Sequence, residues 1–190
     1  MECSQASPPK SSKFSESHQD PSGVGCLRES LRDWIVESFQ AEMNDGRAFG
    51  ATLVLMDGLK RNVALEEYRL FERRVNRAIY GKSIQRHREK KPLKHVAFLE
   101  GGGNTGKEYH FHAIFVNPFD RSFTPEEFVV LVEVEWKRMA KSMKNGEVCF
   151  QMERLYDLRG WVDYMTKEYS KERGCGVGYI DSLDVKTLRL

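Results

Sequence analysis

Two histidines separated by one residue, His110-Phe111-His112, stand inside an apolar run from Tyr109 to Val116. In an extended strand successive side chains alternate between faces. Both imidazoles therefore project to one side, with Tyr109, Phe111, Ala113 and Phe115 on the other. The aromatic side is the natural one to bury under helices, which leaves two imidazoles at neighbouring heights where both can ligate one ion. Glu100 ends the preceding run, His95–Glu100, and across a hairpin it brings a hard carboxylate oxygen to the pair. Two imidazoles and one carboxylate suit Mn²⁺ or Mg²⁺, with Zn²⁺ ranked below them, and leave positions open for a substrate oxygen. His95 has the opposite parity to Glu100 and is left out.

A nucleophile lies further along. Leu158, Val162, Met165 and Tyr169 recur at helical spacing and form one apolar stripe, so Tyr169 has an ordinary role as a core aromatic. Tyr164 is outside that stripe and shares a face with Lys167 and Lys171, three and seven residues on. Ammonium groups beside a phenol favour the phenolate and can hold a phosphate, which is what a tyrosine needs for phosphoryl transfer.

One apparent motif fails on chemistry. Gly101-x-x-x-x-Gly106-Lys107 has P-loop spacing, but Glu108 stands where Ser or Thr should bind magnesium, and a strand follows instead of a helix. A carboxylate beside a phosphate cradle is repulsive, so no nucleotide cofactor is expected.

Charge is informative by position. The chain of 190 residues has a formal charge of +2, yet ten basic residues against two acidic ones make Arg69–Lys94 +8 and leave −6 elsewhere. Arg73, Arg74, Arg77, Lys90, Lys91 and Lys171 are the candidate DNA contacts, following a backbone with salt-sensitive binding. No apolar run reaches membrane-span length, the start is polar, and the four cysteines form no CxxC pair. The expectation is an intracellular protein with reduced thiols and no membrane partner.

The elements that position these groups follow from periodicity and punctuation. Residues 1–25, rich in Ser, Pro, Gln and Gly, read as a flexible polar tail, and 26–190 as a single domain. A helix from Leu27 closes near Asn44-Asp45-Gly46, and a strand covers Ala51–Met56. A second helix is marked by Tyr68, Phe71, Val75 and Ile79. The strands of the histidine hairpin follow, joined by the glycine-rich loop. Thr124-Pro125-Glu126-Glu127 starts a helix running to about Met143. A strand over Glu147–Met152 and a helix over Leu158–Glu172 complete the order βα–ββ–αβ–α after the first helix. That order predicts an α+β, ferredoxin-like split βαβ with an antiparallel sheet, helices on one face and the metal and tyrosine site on the other.

Glu100, His110-Phe111-His112 and Asp163-Tyr164-x-x-Lys167, in that order on this pattern, resemble the HUH endonucleases of single-tyrosine type. These include rolling-circle replication initiators, with relatives among relaxases and transposases. The resemblance covers about residues 50–172, and a weak first motif lies around Thr52. The glutamine that follows the histidine pair in some viral initiators is absent, with Val116 at that spacing, and no helicase module follows.

The resemblance implies metal ligation by Glu100, His110 and His112, attack by Tyr164 on single-stranded DNA, a 5′-phosphotyrosine, and assistance from Lys167. It further implies an origin hairpin as substrate, a separate helicase and polymerase, and a bacterial cytoplasm or nucleoid, or a eukaryotic nucleus, as compartment. A two-tyrosine variant using Tyr169, a transposase or relaxase role, and a non-catalytic single-strand-binding module with Phe111 and Tyr109 as stacking residues stay open.

Overall fold

The computed structural model describes residues 24–55, 59–81, 92–101, 108–118, 123–142, 149–167 and 178–179. In chain order these form α1 (Val24–Asn44), β1 (Ala48–Val54), α2 (Arg61–Tyr80), β2 (His95–Glu100), β3 (His110–Val116), α3 (Pro125–Ser142), β4 (Phe150–Arg154), α4 (Leu158–Met165) and β5 (Gly178–Tyr179). The sheet order is β4-β1-β3-β2-β5, and every neighbouring pair is antiparallel. β1–α2–β2 and β3–α3–β4 are interleaved crossovers, so the fold is the expected α+β split βαβ. The two-residue β5 is an addition that the glycine-rich sequence after Gly174 did not announce. The expected tail, apart from its last two residues in α1, and most of the Gly81–Lys94 link and the glycine-rich loop lie outside the described residues.

Local signals account for the element ends. Thr124 and Glu127 close a reciprocal capping box on α3, with Thr124 N–H donating to Glu127 Oε2 at 2.8 Å and Glu127 N–H to Thr124 Oγ1 at 3.2 Å. Asp157 caps α4 by accepting from Gly160 N–H at 2.9 Å. β1 starts three residues before the expected Ala51, because Ala48, Phe49 and Gly50 pair with Val116, Phe115 and Ile114 of β3.

Strand alternation sorts the core into two clusters. Phe49, Ala51, Leu53, Phe111, Ala113 and Phe115 face α2 and α3, meeting Tyr68, Phe71, Val75, Phe128, Val132 and Trp136. Ala48, Val96, Phe98, Ile114 and Val116 face the other way, against Ile35 and Phe39 of α1 and Leu158, Val162 and Met165 of α4. Confining the helices to one face is therefore corrected. The two crossover helices do share a face, but α1 and α4 cover part of the histidine face. The reason is continuity: beyond His112 the same strand face continues as Ile114 and Val116, whose apolar surface must be buried.

Gly50 sets how α4 sits. A Cβ at this position would meet Leu155 Cδ2 at 2.7 Å and Trp161 Cε2 at 2.9 Å, so the indole lies directly on the β1 backbone. Gly50→Ala should displace Trp161 and cost about 1–3 kcal/mol as an overpacking change. Chemical denaturation checks this; unchanged stability would show that α4 has slack against the sheet.

Candidate metal centre and nucleophile

The hairpin between β2 and β3 builds the ligand set by register. Glu100 pairs with His110, and Phe98 with His112. All four residues share one sheet face. Gly101, at φ +83°, turns the chain where an added Cβ would lie 2.2 Å from the Glu108 carbonyl oxygen. That carbonyl sits 3.0 Å from His110 Nδ1. His112 Nδ1 is 3.1 Å from Thr52 Oγ1, its neighbour across β1. With Nδ1 of each ring engaged behind, Nε2 of each faces Glu100 Oε2, both at 3.5 Å. Backing of this kind is what orients metal-binding imidazoles.

These three residues can hold a metal ion. Their ligand atoms all lie within 4.8 Å of one another. Two donors at ~2.1 Å from one ion, at a tetrahedral angle, stand about 3.4 Å apart, close to the 3.5 Å from Glu100 Oε2 to each imidazole Nε2. Glu100 Oε1 and His112 Nε2 are buried without a hydrogen-bond partner, an arrangement that is costly unless something else satisfies them.

Electrostatics keep Glu100 and His112 in ligating form. Burial would raise the Glu100 carboxyl, but the His110 and His112 rings that face it and the charge of Lys167 outweigh burial and hold the pKa down to about 2. Burial lowers the His112 pKa below its ordinary 6.5, against the opposing pull of Glu100. The unfolded chain then takes up the His112 proton first, so stability should fall as pH drops below about 6.5. Glu100 has the depressed folded pKa of a stabilising carboxylate; its contribution should be lost as pH falls from about 4.5 towards 2. Urea titrations in chelator at pH 8, 6 and 5 test the first step. His112→Asn should flatten the loss between pH 8 and 5, and an equal slope in that variant would sink the assignment.

α4 brings Tyr164, the candidate nucleophile, to this cluster. The Tyr164 ring centroid is 4.6 Å from that of His112 and 5.7 Å from that of Trp161. Lys167 Nζ lies 3.8 Å from the Tyr164 ring centroid and 3.1 Å from Glu100 Oε2. One ammonium thus touches both the tyrosine and the ligand carboxylate. Leu158, Val162 and Met165 are buried as their spacing required, leaving Tyr164 on a different side. Trp161 Nε1 donates to the Ala113 carbonyl oxygen at 3.2 Å, and Arg32 of α1 reaches Asp163 Oδ1 at 3.2 Å and Thr166 Oγ1 at 3.0 Å. Together they fix the helix against sheet and α1.

The structure therefore joins Glu100, His110, His112, Tyr164 and Lys167. Arg73, Arg74 and Arg77, the candidate DNA contacts, lie apart from this group, across the sheet. They belong to α2, whose Tyr68 and Phe71 pack on the Phe111 side of the sheet. Lys90, Lys91, Lys171 and Tyr169 lie outside the described residues. Phe111 is fully buried and offers no base-stacking surface, while Tyr109 is half-buried against the same core. Sequence reading missed Trp161 and Arg32 as supports and gave Thr52 only a weak motif. The sequence signal for Thr52 was a lone polar residue at site-face parity in an otherwise apolar strand.

Comparison with protein-family models, with curated proteins and with solved structures finds no match to this chain.

Proposed function

We propose that this protein is a metal-dependent, HUH-type endonuclease and strand transferase acting on single-stranded DNA through Tyr164. The observation that carries the reading is the convergence of an aromatic nucleophile, a cation and a two-imidazole, one-carboxylate set, with Lys167 touching both Tyr164 and Glu100. Mn²⁺ or Mg²⁺ held by Glu100, His110 and His112 would supply Lewis-acid polarisation of the scissile phosphate.

Tyr164 Oη loses its proton to solvent and bonds to phosphorus as the bond to the 3′-oxygen breaks. The 3′-oxygen takes up a proton, leaving a 5′-phosphotyrosine and a free 3′-OH. One phosphodiester is exchanged for another, so the reverse step joins ends without a nucleotide cofactor. The Lys167 ammonium would offset charge in the transition state.

A free 3′-OH primes synthesis, which points to initiation of rolling-circle replication of a plasmid, phage or virus at an origin hairpin. Helicase and polymerase activities would act alongside it. A transposase or mobilisation relaxase would use the same step. The compartment follows the host: cytoplasm or nucleoid in bacteria, nucleus for a eukaryotic virus.

The test incubates the protein with a panel of hairpin-bearing single-stranded oligonucleotides and Mn²⁺. An SDS-resistant adduct is expected, absent with EDTA and in His110→Ala. Tight binding with every oligonucleotide left unmodified would overturn the reading in favour of a binding module.

A further inference from the structure

The arginines that the fold removes from the metal centre form a surface of their own. Arg73 and Arg77 are exposed on α2, and Arg74 is half-buried. Arg74, Arg77 and Arg138 of α3 rim a concavity that also contains Glu135. Glu135 is buried and pairs with Arg138 at 2.5 Å, which anchors that guanidinium at the rim while most of it stays exposed. The half of α2 from Arg69 to Tyr80 carries four arginines against Glu72, a local charge of +3.

We propose that this outer surface of α2, completed by Arg138, docks the phosphate backbone of duplex DNA, separately from the metal and tyrosine site. The lack of a stacking platform favours a duplex over a single strand. Single-strand surfaces pair cations with aromatic platforms on which bases stack. Here Tyr68, Phe71, Phe128 and Trp136 are fully buried in the core, and half-buried Tyr80 packs against it. Among the described residues the surface thus offers charge without stacking, which suits a backbone whose bases are already stacked.

The proposal extends the nuclease reading. The cut strand would lie at the histidine face, while paired DNA beside it is gripped across the sheet, beyond α2's own thickness of about 10–12 Å. Duplex binding itself does not depend on cleavage, so the two are separable by experiment.

Fluorescence anisotropy with a labelled blunt duplex and a homopyrimidine single strand, each over a salt series, tests it. In the triple variant Arg73→Gln, Arg77→Gln, Arg138→Gln, duplex affinity should fall at least about tenfold, and the slope of log K against log salt should shrink by about 2.7. The corresponding Arg→Lys triple should keep most of the slope, separating charge from folding damage. His110→Ala should bind duplex like the parent, and the glutamine triple should still form the adduct on a short oligonucleotide. An unchanged duplex slope in the glutamine triple overturns the proposal. So does an equal loss of single-strand and duplex binding. Absence of any adduct with the slope result intact would sink the nuclease reading alone.

Discussion

Tyr164→Phe is expected to form no SDS-resistant adduct, a loss on the order of 10³-fold or more in covalent complex. The substitution keeps the ring that contacts His112 and Trp161 and over which Lys167 lies, so packing is preserved. It removes only the oxygen that would bond to phosphorus. Mn²⁺ binding by calorimetry and the thermal midpoint should match the parent. Tyr169→Phe should retain the adduct, since Tyr164 is the tyrosine in contact with His112 and Lys167. Adduct persisting in Tyr164→Phe and vanishing in Tyr169→Phe would reverse the assignment and require α4 to be repositioned.

Glu100→Gln should reduce Mn²⁺ affinity by at least about 100-fold, beyond the range that loss of a supporting hydrogen bond produces. The exchange is nearly isosteric but deletes the one anionic group in the ligand set. Its carboxylate side chain is 4% exposed and faces two imidazoles and an ammonium. A neutral amide cannot offset that positive charge together with a divalent ion, and its NH₂ competes with the metal for histidine Nε2. Calorimetric titration checks affinity directly, and adduct formation should return in part at raised Mn²⁺. Unaltered affinity would mean that the ion is held elsewhere and that Glu100 serves to anchor Lys167.

The ligand set was legible because strand alternation is a local property. His110 and His112 had to share a face, and Glu100 had to meet them once the hairpin formed. Tyr164 was legible for the same reason on a helix, although α4 ends at Met165, short of the expected Glu172, and Lys167 reaches Tyr164 from beyond its end. Gly50 and Arg32 were not, since their importance exists only after β1 lies beneath Trp161 and α1 beside Asp163. The location of the arginines was available but unread. Tyr68 and Phe71 of α2 needed an aromatic strand face, and Phe111 and Phe115 supplied it, on the side away from the histidines. Following that pairing through would have put Arg73 and Arg77 across the sheet from Tyr164.

The eight-residue length of α4 has a mechanical consequence. The ligands belong to strands tied on both sides by backbone ladders, a stiff mounting. Tyr164 rides instead on a short segment held by side-chain contacts: a tryptophan, an arginine and three buried apolar residues. The proposed cutting and rejoining of DNA would require the tyrosine to approach phosphorus, stay attached while the freed 3′ end departs, and later withdraw. Because the donors are mounted on other elements, a shift of that segment would leave their spacing undisturbed.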